Sequence, residues 1–112
     1  MAKLERTLHG SFDEAVRYFD SGVLQGSSSA SLEECSAYQI GPVRCSIRVY
    51  ERYSYTGNNR VSMTVTIIGD GSTLFLSGIT SGGSQAVFFK INTWGEESFL
   101  DTLRELADAW PQ

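Results

Sequence analysis

The chain has 112 residues, of which 41% are apolar, with 11 glycines and only 2 prolines. This composition excludes a disordered chain, and the length suits one hydrophobic core, so we predict a single domain over residues 1–112. With 13 acidic residues against 9 basic ones, the net charge is −4. Because attraction to phosphates dominates DNA binding, this charge argues against a duplex-DNA partner.

The N-terminal stretch "KLERTLH" alternates polar and apolar residues, and no apolar run approaches the roughly 20 residues that cross a bilayer. We therefore expect no signal peptide, no membrane partner and a cytoplasmic location. In that compartment Cys35 and Cys45 remain thiols. Their spacing from each other and from His9, the only histidine, matches no zinc site, so we expect no metal and no cofactor.

The first two predicted elements are a strand and a helix. "LERTLH" has the two-residue period of a strand. Ser11 followed by Glu14 is a capping box, so we predict a helix that starts there and ends near Gly22. Its apolar positions at helical spacing are Phe12, Ala15, Val16, Phe19 and Val23.

The middle of the chain has the period of half-buried antiparallel strands. The residues expected to face the core are Val43, Cys45, Ile47, Val49, Val61, Met63, Val65 and Ile67. A less regular strand, "ASLEECSAYQI", precedes them and joins the next through a turn at Gly41-Pro42. With this turn Cys45 faces Tyr38, while Cys35 lies on the opposite face, which argues against a disulfide.

Two glycine turns, at Asp70-Gly71 and Gly82-Gly83, set the predicted register of the later strands. The resulting apolar pairs are Ile67 with Leu74 and Leu76 with Phe89. The glycine-rich stretch "SGITSGGSQAVFFKIN" therefore leads into a strand, whereas a phosphate loop leads into a helix, so we predict no phosphate site there. The hairpin "YSYTGNNRVS" needs an odd number of loop residues to place Val49 and Val65 on one face.

A second capping pattern, Thr93 with Glu96, begins a C-terminal helix that Pro111 closes. Its apolar stripe is Phe99, Leu100, Leu103, Leu106, Ala107 and Trp110. The fold class is therefore α+β: an antiparallel sheet of five to six strands with two helices on one face. The order β-α-β(4-5)-α is that of TBP-like and helix-grip proteins.

Two helices cover one face of such a sheet, which leaves an outer face exposed. The residues predicted for this face, as a ligand or interface site, are Arg48, Tyr50, Arg52, Phe75, Phe88, Ile79 and Lys90. An exposed apolar patch usually marks an interface, so the leading hypothesis is a non-enzymatic domain that self-associates into a homodimer through the outer face. An alternative is that its aromatic and arginine side chains bind an anion or single-stranded nucleic acid.

A pocket between the sheet and the C-terminal helix is another alternative, holding a small molecule or lipid. Its predicted lining is Met63, Leu76, Phe89, Leu103 and Trp110. No catalytic residues are predicted, because His9 has neither an acid nor a nucleophile beside it in the sequence, and no nucleophile elbow, dinucleotide fingerprint or Walker loop is present. We therefore do not predict an enzyme.

The stretches "GPVRCSIRVYERYSYTGNNRVSMTVTIIGDG" and "FLSGITSGGSQAVFFKINTWGEESFLD" resemble a family of short uncharacterised bacterial proteins, mostly from clostridia and related Firmicutes. The resemblance covers the whole chain. It implies a cytoplasmic protein with no assigned activity, and it carries no functional residues to this sequence.

Overall fold

The structure is a computed structural model that describes residues 1–53, 60–82 and 89–111, with only the backbone described for residues 89–94. Its elements are β1 (Ala2–His9), α1 (Phe12–Gln25), β2 (Ser31–Ile40), β3 (Val43–Tyr53), β4 (Arg60–Asp70), β5 (Thr73–Gly82) and α2 (Phe89–Ala109). The strands form one antiparallel sheet in the order β1-β5-β4-β3-β2.

Both helices pack on one face of this sheet, which we call the inner face; the opposite face is the outer face. The α+β prediction is confirmed, with five strands and the order β-α-β(4)-α. The finer likeness to TBP-like and helix-grip proteins stays a prediction. Strand β2 forms one edge of the sheet and β1 the other.

Helix α1 begins as predicted, because the Ser11 hydroxyl accepts a hydrogen bond from the Glu14 N–H at 3.2 Å. It does not end near Gly22 but continues to Gln25. A Cβ on Gly22 would overlap the side chain of Leu106 in α2. Gly22 therefore allows the two helices to approach closely. It does not end α1, contrary to the prediction from the sequence.

The β4–β5 register is two residues away from the predicted one. Ile67 pairs with Leu76, and the turn lies one residue later, with Gly71 at φ +62°. Since a shift of two residues preserves the faces, the apolar side chains of both strands still point to the core. The predicted pairing of Ile67 with Leu74 was wrong, although the burial that it implied was right.

The predicted strand in "AVFFKIN" was also wrong in the part that the structure describes, since α2 begins at Phe89. Strand β5 already has β4 on one side and β1 on the other, so no edge is left for a hairpin partner. A two-residue turn at Gly82-Gly83 would need such an edge. Residues 83–88 lie outside the described part of the chain.

The side chains of β3 point to the opposite faces of the sheet from those predicted. Tyr50 pairs with Met63 and Val49 with Thr64, while Tyr53 and Arg60 close the hairpin around residues 54–59. The number of residues between Tyr53 and Arg60 is even, whereas the prediction required an odd number. This difference reverses the face of the sheet to which each side chain of β3 points. As a result Arg44, Ser46, Arg48, Tyr50 and Arg52 point inward. The outward side carries the apolar residues Val43, Cys45, Ile47 and Val49, followed by Glu51.

The core lies between the inner face and both helices. Its largest buried side chains from the helices and central strands include Phe19, Phe99, Met63, Leu76 and Leu103. Trp110 closes one end, where its indole N–H donates to the His9 carbonyl at 2.9 Å. The packing of α2 against β5 depends on the lack of a side chain at one position, because a Cβ on Gly78 would overlap Leu103.

We expect Gly78→Ala to destabilise the protein by about 1 to 3 kcal/mol, because Leu103 must move within a filled core. Urea unfolding measures this change. Ser77→Ala, on the outer face of the same strand, is the matched control and should change the unfolding free energy by less than about 0.5 kcal/mol. Equal stability of Gly78→Ala and the control would contradict the described packing of α2.

Candidate interaction surface

A polar cluster on the inner face explains why β3 is reversed. The carboxylate of Asp20, in α1, accepts hydrogen bonds from the Tyr50 hydroxyl at 2.6 Å and from the Arg48 guanidinium at 3.2 Å. Tyr50 is 1% exposed, so its hydroxyl needs such an acceptor. Burial, and then the hydrogen bond to Asp20, raise the pKa of Tyr50 well above its usual value of 10.0. Tyr50 is therefore a neutral hydrogen-bond donor at physiological pH.

The helices also hold the two other inward-facing arginines of β3. The Arg44 guanidinium contacts the Asp13 carboxylate at 2.9 Å and lies 4.5 Å from the centre of the Phe12 ring. The hydrogen bond that the Arg44 guanidinium donates to this carboxylate lowers the pKa of Asp13. Arg52 donates to the Ser98 hydroxyl at 2.8 Å and lies over Phe99. Burial lowers the pKa of Arg52. Arg44, Arg48 and Arg52 are thus all held by side chains of the two helices.

Reversal of β3 builds the outer face, whose rows follow from the strand pairing. The first row is Thr7, Phe75, Ile68, Cys45 and Tyr38. The second is Glu5, Ser77, Thr66, Ile47 and Ser36. The third is Lys3, Ile79, Thr64, Val49 and Glu34. In these three rows, charged side chains lie only on the two edge strands, and the nine positions on the three central strands carry none. Beyond the rows, the same face carries Asp70 at one end of the central strands and Glu51 and Arg60 at the other.

Several large apolar side chains on this face are exposed by more than a third of their surface. We call them the outer patch: Tyr38, Ile40, Ile47, Ile68, Phe75 and Ile79, with exposed fractions from 36% to 69%. Phe75 and Ile68 are direct cross-strand partners, and Ile68 pairs with Cys45. The patch is therefore contiguous from β5 to β2. A contiguous apolar surface of this kind usually marks an interaction site.

The structure divides the residues predicted for the outer face into three groups. Phe75 and Ile79 do lie there. Arg48, Tyr50 and Arg52 lie on the inner face against the helices, which corrects the prediction and follows from the reversal of β3. Phe88 lies outside the described residues. Lys90 belongs to α2, in the part where side chains are not described.

The residues predicted to line a pocket are core residues. Met63, Leu76 and Leu103 are fully buried, and Trp110 is 8% exposed. Phe89 begins α2, and its side chain is not described. Because Leu103 occupies the space above Gly78, these side chains fill the region between sheet and helix themselves.

Four members of the outer patch, Tyr38, Ile40, Ile47 and Ile68, were missed by the predicted site. Ile47 was assigned to the core because it lies on the apolar side of β3, the side that a half-buried strand usually turns inward. A usable signal was nevertheless present in α1. Asp13 and Asp20 are two helical turns, about 10.5 Å, apart, and Arg44 and Arg48 are about 13.6 Å apart along a strand. A helix that runs alongside β3 brings each aspartate within reach of one of the long arginine side chains.

No cluster of three or more metal-binding side chains occurs in the residues that the structure describes, and none of its described helices is long and apolar enough to cross a membrane. His9 is exposed at the end of β1.

Comparison with known sequences places this architecture in a family. A family of unknown function, DUF6054, matches residues 1–111. The chain belongs to this family. The match agrees with the resemblance to an uncharacterised family, while the bacterial range of that family stays a prediction. The curated proteins include no match to this DUF6054 chain.

We expect Tyr50→Phe to lower the free energy of unfolding by about 1 to 3 kcal/mol, because the charged Asp20 loses a buried donor. The difference between wild type and Tyr50→Phe should be constant below pH 10. Above pH 10 it should shrink, since unfolded Tyr50 ionises there while the folded residue, with its raised pKa, keeps its proton.

Urea unfolding from pH 7 to pH 11 tests this dependence. Tyr38→Phe is the control, because Tyr38 is 69% exposed and its hydroxyl has no buried carboxylate to bind. A Tyr50→Phe variant as stable as Tyr38→Phe at every pH would show that the Asp20 cluster does not stabilise the fold.

Proposed function

We propose that this protein is a non-enzymatic interaction domain that self-associates through its outer face. The observation that carries the proposal is the orientation of β3. Its apolar residues, including Ile47 and Val49, point away from the core, while its arginines and Tyr50 are bound by helix residues. Exposing the apolar side of a central strand is unfavourable in water, and a partner that covers it recovers that free energy.

The size of the outer face suits a second copy of the chain. Five strands about 4.8 Å apart, each about ten residues long at about 3.4 Å per residue, make a face of roughly 24 by 34 Å. This is about 800 Å², close to the area that each partner buries in a standard stable interface. Two sheets that pack face to face need only the usual separation of about 10 Å.

The charge distribution also favours a second copy. Each chain carries a net charge of −4, so two copies repel unless the contact avoids charged groups. The nine central positions of the outer face are uncharged. The charges on this face lie around them: Asp70, Glu51 and Arg60 near the ends of the central strands, and Lys3, Glu5 and Glu34 on the edge strands.

The structure gives less support to the two alternative functions. Binding of single-stranded nucleic acid or an anion was inferred from arginines on the outer face, and Arg48 and Arg52 lie on the inner face. Ligand binding between sheet and α2 needs space that Leu103 and its neighbours occupy. We therefore propose neither for this site.

Phe75→Asp should weaken association by about 30-fold or more, because it places a charge in the middle of a contact that must lose its water. Sedimentation velocity measures the assembly. We expect the wild-type protein to sediment as a multiple of the 12.3 kDa chain and the variant at half the wild-type mass.

Two further variants make this result specific. Ser21→Asp adds the same charge on an exposed position of α1 and should leave the assembly intact. Phe75→Thr keeps a residue that is favourable in strands and should weaken association to a smaller extent. A folded Phe75→Asp variant, as judged by circular dichroism, with unchanged mass would contradict self-association through the outer face.

A further inference from the structure

The edge strand β2 has a second, independent interaction surface. From Glu33 to Ile40 every residue of β2 is exposed, whichever face its side chain points to. On the inner side, an open depression of about 220 Å³ lies beside it, lined by Phe12, Ala37, Tyr38, Gln39, Arg44 and Cys45. Neither helix covers this strand. An edge of this kind presents backbone groups that can pair with another strand.

The turn at Gly41-Pro42 determines which backbone groups face the edge. In a two-residue hairpin the flanking residues, here Ile40 and Val43, form a hydrogen-bonded pair, and such pairs alternate along the ladder. The odd-numbered residues Cys35, Ala37 and Gln39 therefore direct their N–H and C=O groups away from β3. One contact agrees with this direction, because the Cys35 N–H donates to the Glu34 carboxylate at 3.0 Å.

Features that prevent strand pairing occur at only one end of β2. A register irregularity between Leu32 and Glu34, together with two glutamates, interrupts the strand there. Natural edge strands use such bulges and charges against unwanted pairing. The remaining segment, Ser36–Ile40, contains no charged residue and no proline. Half of β2 is thus open to pairing and half is blocked.

The open segment is complementary to itself. If two β2 strands run antiparallel with Ala37 opposite the partner's Ala37, the smallest side chains meet at the two-fold axis. Tyr38 then lies opposite the partner's Ser36 on the outer side, which sets a large residue against a small one. Glu34 lies opposite the partner's Ile40, so the glutamates of the two copies stay at opposite ends of the ladder.

We propose that β2 pairs in this way with β2 of a second copy and joins two five-stranded sheets into one of ten strands. This inference goes beyond the proposed function, since it uses the edge of the sheet and not its outer face. The contact through the outer face and the contact through the β2 edge use different parts of the sheet, so one chain can make both at once. Together they assemble four chains with two perpendicular two-fold axes.

Disulfide trapping tests the pairing directly. In a Cys35→Ser/Cys45→Ser background, Ala37→Cys places one thiol per chain at the axis, where paired strands hold Cα atoms about 5.5 Å apart, within the range of a disulfide. Ser21→Cys in the same background is the matched control, exposed on α1 and far from the edge. We expect Ala37→Cys to form a covalent dimer at least 10-fold faster than the control under the same mild oxidant.

The register and the independence from the outer face are tested in the same assay. With Cys35 retained, Gln39→Cys should form a disulfide between residue 39 and the partner's Cys35, identified by peptide mass. Adding Phe75→Asp should leave the rate of Ala37→Cys trapping unchanged. Two results would overturn the proposal: trapping of Ala37→Cys no faster than the control, or trapping that disappears when Phe75→Asp is added. The first result would mean that the edge binds a partner of another kind, if any.

Discussion

The hydrogen bonds from Arg48 and Tyr50 to Asp20 determine how the rest of this structure is arranged. They join α1 to β3 and make the polar side of that strand its buried side. A buried hydroxyl and a half-buried charge are stable only when paired, and here one carboxylate accepts hydrogen bonds from both donors. Successive side chains of a strand alternate between the two faces of the sheet. When the polar side of β3 points inward, its apolar side must therefore point outward. The outer patch is a consequence of this internal cluster.

The same constraint separates the roles of the two sheet faces. The inner face is filled by helix side chains, with glycines at the points of closest approach, so it has little room for a ligand. The outer face is uncharged at its centre and partly apolar. Strand β2 extends both surfaces beyond the helices. Self-association by face and by edge therefore uses the parts of the molecule that the helices leave uncovered.

Local patterns in the sequence predicted most of the elements, and non-local choices were the main source of error. The Ser11–Glu14 cap and the Gly41-Pro42 turn are decided by neighbouring residues and were right. The orientation of β3 depends on a carboxylate 28 residues away from Arg48, and its alternation alone favoured the wrong face. The segment after β5 was predicted to be a strand because a turn at Gly82-Gly83 gave apolar pairs with β5, but β1 occupies the edge of β5 where that strand would pair. Outer-face residues such as Phe75 were found because two-residue errors in register keep the face.

The most direct measurement of the central claim is hydroxyl-radical footprinting of the wild-type protein at concentrations above and below its dissociation constant. It reports the solvent exposure of individual side chains without any substitution. If a second copy covers the outer face, oxidation of Phe75 and Ile68 falls several-fold on assembly, while that of the partly buried Leu24 in α1 is unchanged. Equal oxidation of Phe75 and Ile68 at both concentrations, in a protein whose mass shows that it has assembled, would contradict the account.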